Sequence, residues 1–268
     1  MERNVSARIQ FKTVANTKVA MSIAVARNSG YTRLEEHLSV RSGDQDVPLK
    51  VLEGANGSIT HYMEFAEPAD VSVEYTASVE GRAIPEDPST LELVTLVRPS
   101  RYAESDRLLP TSYAEFGGLH GMELLDAVRT WVNQELRYVS GSSRGTDGAV
   151  ETLLHRRGVC RDFAHLAIAL LRAKDVPARL AAVYAPGLDP MDFHAVAEAH
   201  VNGQWHVIDP TGLAPRETLL RICAGRDSSD TAFLSTVGGS LVLNRMSVTA
   251  VVNGNLPVDN PGAAVIIG

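Results

Sequence analysis

The sequence predicts an α+β protein: an N-terminal antiparallel β-sandwich-like domain, then a core in which a cysteine-bearing helix packs on an antiparallel sheet. Three observations carry this reading. Residues 71–79 alternate, apolar at odd positions and polar at even ones, which is the period of a half-buried strand. Phe163, Leu166, Ala167, Leu170 and Leu171 recur at helical spacing behind Cys160. Asn202-Gly203 separates two apolar-rich runs and is the strongest short-range hairpin signal.

The first part of the chain repeats the strand pattern. Residues 7–11, 19–26 and 38–41 read as strands, separated by the turn signals Asn28-Ser29-Gly30, Ser42-Gly43-Asp44 and Gly54-Ala55-Asn56-Gly57. Short strands at this spacing predict a small sandwich over residues 1–83. Pro85, Pro88, Pro99, Pro110 and Gly117-Gly118 then predict a connecting linker over 84–118. The core is expected over 119–252 and a Gly/Pro-rich tail over 253–268.

Within the core, Leu124, Leu125, Val128, Trp131, Val132 and Leu136 place a helix over residues 122–136. A Gly/Ser-rich loop at 140–145 and a short helix at 149–155 follow, and Arg156-Arg157-Gly158 breaks the latter. The next helix runs to about residue 174 and stops at Val176-Pro177. Residues 178–185 read as a strand, 194–201 and 204–210 as the two arms of the hairpin, 215–222 as a short helix, and 241–252 as a last strand.

Composition narrows the function. With 268 residues the chain has room for two domains, and 44% hydrophobic against 21% charged residues is the balance of an ordinary globular protein. Its 25 basic and 32 acidic residues sum to −7, with no basic stripe to replace phosphate counterions, so nucleic acid is not an expected partner. No run approaches the roughly 18 apolar residues of a membrane span, and no long apolar h-region follows Met1. Two cysteines, Cys160 and Cys223, are too few for a disulfide framework, so a reduced, cytoplasmic chain is expected. No CxxC or HExxH spacing occurs, and neither metal nor cofactor is expected.

Cys160 is the first candidate for chemistry. A cysteine in the first turn of a helix meets unpaired backbone N–H groups and the positive end of the macrodipole, which favour the reactive thiolate. Gly158 before it permits close backbone approach. Taken alone, the position suits a buried core cysteine as well.

The hairpin supplies partners. If Asn202-Gly203 forms a two-residue turn, Val201 pairs with Gln204, Val196 faces Asp209, and His194 faces Thr211. His194 and Asp209 are then diagonal neighbours on one face, roughly 7–8 Å apart at the backbone and within reach of an imidazole–carboxylate hydrogen bond. The expected bond uses Nδ1–H and leaves Nε2 as the base. A one-residue slip would send Asp209 to the other face. His206 points away from His194, and His200 lies much nearer the turn, so the three histidines do not assemble a metal site.

These residues resemble a known family. Gly158-Val159-Cys160-Arg161-Asp162-Phe163-Ala164-His165, Asp192-Phe193-His194-Ala195 and Trp205-His206-Val207-Ile208-Asp209-Pro210-Thr211 are similar to motifs of the bacterial transglutaminase-like superfamily, whose core is papain-like. Arg98-Pro99-Ser100-Arg101-Tyr102, Glu104-Ser105-Asp106 and Ala224-Gly225-Arg226-Asp227 extend the resemblance. It implies Cys160 as nucleophile, His194 as base and Asp209 as orienter, behind an N-terminal β-rich domain. Val196 stands where many members carry Trp, which bears on substrate shape. The implied function is that of a cysteine protease or amidase, cleaving a protein or peptide substrate through a thioester. A protein-glutamine transamidase with the same triad, or a non-catalytic binding module, are the alternatives. Cys223, His165, Arg161 and Asp162 read as packing or helix-end residues.

Overall fold

Alternation builds the first half of the molecule. The computed structural model describes residues 1–85 and 87–268; Glu86, within the stretch read as a linker, lies outside the described residues. Seven strands come first: β1 (Glu2–Thr13), β2 (Thr17–Met21), β3 (Tyr31–Ser42), β4 (Gln45–Asp46), β5 (Lys50–Glu53), β6 (Ile59–Phe65) and β7 (Ala69–Gly81). In β7 the apolar residues Val71, Val73, Tyr75, Ala77 and Val79 are buried, while the polar residues between them face outwards. They meet Val19, Met21, Met63 and Phe65 from the opposite sheet, and Phe11 packs edge-on against Phe65 with ring centroids 6.4 Å apart.

Helices fill the middle of the chain. They are α1 (Thr90–Leu96), α2 (Ser105–Phe116), α3 (Gly121–Glu135), α4 (Ala149–His155) and α5 (Cys160–Arg172), with the two-residue strands β8 (Arg137–Tyr138) and β9 (Arg157–Gly158) between them. Two of the helices lie where the prolines predicted a linker. In α2, Pro110 removes a backbone donor at a cost of about 3 kcal/mol. Burial of Leu108 and Phe116 against the core, and a hydrogen bond from the Ser112 hydroxyl to the Leu170 carbonyl (2.8 Å), offset that cost. Helix α5 is buried on nearly every side: Phe163, Leu166, Leu170 and Leu171 are at most 2% exposed, each contributing about 2 kcal/mol of apolar burial.

The core sheet comprises β10 (Ala178–Tyr184), β11 (Phe193–Val201), β12 (Gln204–Ile208) and β13 (Leu220–Gly225), in the antiparallel order β12-β11-β10-β13. The β11–β12 register is the one expected, with Val201 on Gln204, Ala199 on His206 and Ala197 on Ile208. Asn202 (φ 52°) and Gly203 (φ 79°) occupy the left-handed region that a two-residue hairpin turn requires. Residues 215–222 correct the expected helix: a single 3-10 turn at Arg216–Thr218 leads directly into β13. Leu220, Arg221, Ile222 and Cys223 are all buried, so alternation could not announce the strand.

After α6 (Ser228–Thr231) the chain returns to the sandwich. Strand β14 (Leu234–Thr236) pairs with β2, and β15 (Leu241–Val252) pairs with β1 along its length. The expectation that residues 241–252 belong to the core is corrected by this pairing. The sandwich sheets are thus β15-β1-β7-β3-β4 and β14-β2-β6-β5. Tyr184 and Ile222 of the core sit in the same apolar cluster as the sandwich residues, and Tyr184 stacks on Tyr75 at 6.3 Å. The final residues pack back on the molecule, burying Val265 and Ile267, with the Val207 N–H donating to Val265 (2.8 Å). Among the described residues, no helix is long and apolar enough to cross a membrane.

Candidate active site

Cys160 opens α5. Asp162 holds that end of the helix: one carboxylate oxygen accepts the Val159 N–H (2.8 Å) and the other the Ser143 hydroxyl (2.9 Å). A Cβ on Gly158 would stand 2.6 Å from the Asp162 Cβ, so the residue before the cap must be glycine for this closure. The thiol itself is half-buried and free, and it lines a cavity of about 530 Å3 together with His194.

His194 and Asp209 form the buried pair that the hairpin count demanded. Asp209 lies just past the end of β12, and its Oδ2 is 2.8 Å from His194 Nε2. Oδ1 accepts the backbone N–H (2.9 Å) and hydroxyl (2.7 Å) of Thr211. The ring is turned opposite to expectation, with Nε2 on the carboxylate. Nδ1 meets no partner among the described residues by hydrogen-bond geometry, while the Cys160 thiol is close enough to act on the ring. The distal nitrogen is the one that spans the diagonal between strands, which residue spacing alone does not express.

Electrostatics favour charge on this pair. Burial alone would lower His194, but the Asp209 carboxylate and the nearby Cys160 sulfur outweigh it and raise the imidazole to about 10. Burial would likewise raise Asp209, and His194 with Thr211 hold it below the usual carboxylate range. Such a site can keep a protonated imidazolium beside the Cys160 sulfur.

Other singled-out residues fall elsewhere. Cys223 is buried in β13, its thiol pushed up to about 12 by burial. His165 is buried about one and a half helical turns beyond Cys160, under Tyr102 (ring centroids 5.4 Å). Its Nε2 accepts the Ser228 N–H (3.1 Å), and burial draws it down to about 3, so it stays neutral. His200 packs on Trp205, and His206 contacts the Val201 carbonyl. Arg161 lines the cavity while also reaching Ser143 and the Arg144 carbonyl. Among the described residues, no three His, Cys, Asp or Glu side chains are grouped to hold a metal.

Sequence reasoning missed Tyr138. Strand β8 runs parallel to β9 and pairs Tyr138 with Gly158, two residues before Cys160. The ring leans on Phe163 (5.9 Å), and the hydroxyl lies beside the Cys160 backbone. Burial and the neighbouring Cys160 push the phenol up to about 12, so it keeps its proton. A two-residue strand has no periodicity to read; the signal available was the aromatic residue following a helix at the edge of the Gly/Ser loop.

The core profile of the transglutaminase-like superfamily matches residues 115–210, which contain Cys160, His194 and Asp209. A crystal structure from Cytophaga hutchinsonii, named as a candidate cysteine protease, is similar along nearly the whole chain. The identity is 30%, the coverage 97% of this chain and 93% of that one, and the TM-score 0.88. An uncharacterised protein of Mycobacterium leprae is 31% identical over 120 residues, 41% of this chain and 43% of its own length. One from Mycobacterium tuberculosis is 34% identical over 125 residues, 41% of this chain and 40% of its own. The chain therefore spans about two fifths of the curated relatives it matches. Core profile and full-length structural likeness together place the chain in the transglutaminase-like superfamily.

Proposed function

We propose that the chain is a cysteine hydrolase of peptide amide bonds, with Cys160 as nucleophile, His194 as proton carrier and Asp209 as its orienting carboxylate. The observation that carries this reading is the buried His194–Asp209 bond of 2.8 Å, with the remaining ring nitrogen unbonded beside Cys160. In the resting pair, Nε2–H donates to Asp209 and Nδ1–H faces the thiolate. The thiolate attacks the amide carbonyl, and the carbonyl oxygen becomes an oxyanion. As the oxyanion forms, the Cys160 backbone N–H turns to it as one donor, and the Tyr138 hydroxyl beside that N–H, which keeps its own proton, is the second.

Collapse of the tetrahedral intermediate breaks the C–N bond. His194 delivers its Nδ1 proton to the leaving amine, and a thioester remains on Cys160. A water then loses a proton to Nδ1 and attacks the thioester. The acid departs, and thiolate and imidazolium are restored. The test is turnover of a peptide amide panel with Cys160→Ala as the blank. Loss of turnover in the variant is expected, with free carboxylate as the product. Equal turnover in variant and parent would remove Cys160 from the chemistry. Mass analysis with an added primary amine separates hydrolysis from transfer, since a transamidase would yield the amide adduct.

A further inference from the structure

The cavity beside Cys160 is walled by both halves of the molecule. Ile222 comes from β13 and Phe193 from the first position of β11. Phe233, just before β14, stacks on Phe193 with ring centroids 5.1 Å apart, and Met246 projects from β15. Phe193, Phe233 and Met246 stay partly exposed, so the concave surface next to the thiol presents open apolar carbon. Water against such a surface is displaced favourably by an apolar group, and about 530 Å3 is ample for one large side chain with its backbone. Arg101, Arg161 and Asp192 line the same cavity; Arg161 is paired with Asp162 (3.2 Å), which leaves Arg101 opposite the carboxylate of Asp192.

We propose that this slot is a subsite for a bulky apolar side chain next to the bond that Cys160 attacks, with a carboxylate of the same peptide facing Arg101. The inference rests on the reading of Cys160 as nucleophile and deepens it to a substrate class: a main-chain amide in a hydrophobic and acidic segment. A glutamine side chain is a poor occupant. Against Phe193, Phe233, Ile222 and Met246 its primary amide would meet apolar carbon, and it would have to reach the hydroxyls of Ser228, Ser229 or Ser235 elsewhere in the cavity to avoid the cost of an unpaired amide. The sandwich, on this reading, is a wall of the substrate site.

The slot can be tested by binding, without turnover. Fluorescein-labelled hexapeptides, identical except for Phe, Leu, Gln or Ser at one position and Glu or Lys beside it, are titrated into the Cys160→Ala protein by anisotropy. The Phe and Leu peptides are expected to bind at least about tenfold tighter than the Gln peptide. Glu beside them should bind tighter than Lys, and Arg101→Ala should narrow that difference. Met246→Ser and Phe233→Ala, each in the Cys160→Ala background, should narrow the apolar preference. Equal binding of Gln and Phe peptides would overturn the proposal even if neither variant folds, as would a preference that both folded variants retain. Failure of the nucleophile reading looks different: wild-type protein would turn over none of the peptides while the binding preference stood, supporting the slot alone.

Discussion

Asp209→Asn keeps the shape of the pair and removes the charge that holds the imidazolium. Burial, the largest single influence on His194, opposes the charged ring; Asp209 and Cys160 together carry it from 6.5 to about 10. That span is equivalent to roughly 5 kcal/mol in favour of the imidazolium. Losing half of it weakens the hold on the imidazolium proton by roughly sixtyfold. Pseudo-first-order alkylation with iodoacetamide reads this directly, each thiol being followed by peptide mass mapping. In the wild type at pH 6, Cys160 should label far faster than Cys223, whose thiol burial pushes up to about 12. In Asp209→Asn the Cys160 rate at pH 6 should fall by about tenfold or more. Equal Cys160 rates in wild type and variant at pH 6 would refute the reasoning, because the carboxylate would then hold no proton in place.

Three further outcomes follow from the same geometry. Tyr138→Phe should lower kcat on a peptide amide by about 10²–10³, while iodoacetamide labelling of Cys160 stays within about twofold of wild type, since alkylation passes through no oxyanion. Glu198 is fully buried between Arg179 (2.9 Å) and Arg221 (2.5 and 2.7 Å); Glu198→Gln should destabilise the fold by about 3–5 kcal/mol at pH 7 in urea melts. Burial alone would raise Glu198, and the two guanidinium groups bring it down to about 2, below its unfolded value of 4.5. Its stabilisation is therefore complete above pH 4.5 and is lost as the pH falls towards 2, so the gap between wild type and Glu198→Gln should narrow between those limits.

How much of this was legible follows from what each signal encodes. The hairpin register could be counted because Asn202-Gly203 admits a two-residue turn, which fixes every pair on both strands. Cys160 could be placed at a helix start because the apolar stripe from Phe163 to Leu171 has a clear phase. The orientation of the His194 ring could not be counted, being a rotation within one side chain. Nor could the partner of β15, since a strand's own pattern says which face is buried and not which neighbour it pairs with. Helix α2 was masked by Pro110, a local signal overridden by tertiary burial. The strand after Thr218 was masked because both its faces are covered.

The pairing of β15 with β1 also sets an order of assembly. During synthesis β1 and β7 are available early, but the strand that covers the other edge of β1 leaves the ribosome only after the whole core. The core is thus an insertion within the sandwich, and the chain can complete the helix bearing Cys160 before its β-rich half is closed. Met246 rides on that last strand. The newborn chain therefore has its thiol before the cavity beside it has all its walls, and a ribosome-bound chain stalled before residue 241 would carry Cys160 next to an unfinished wall.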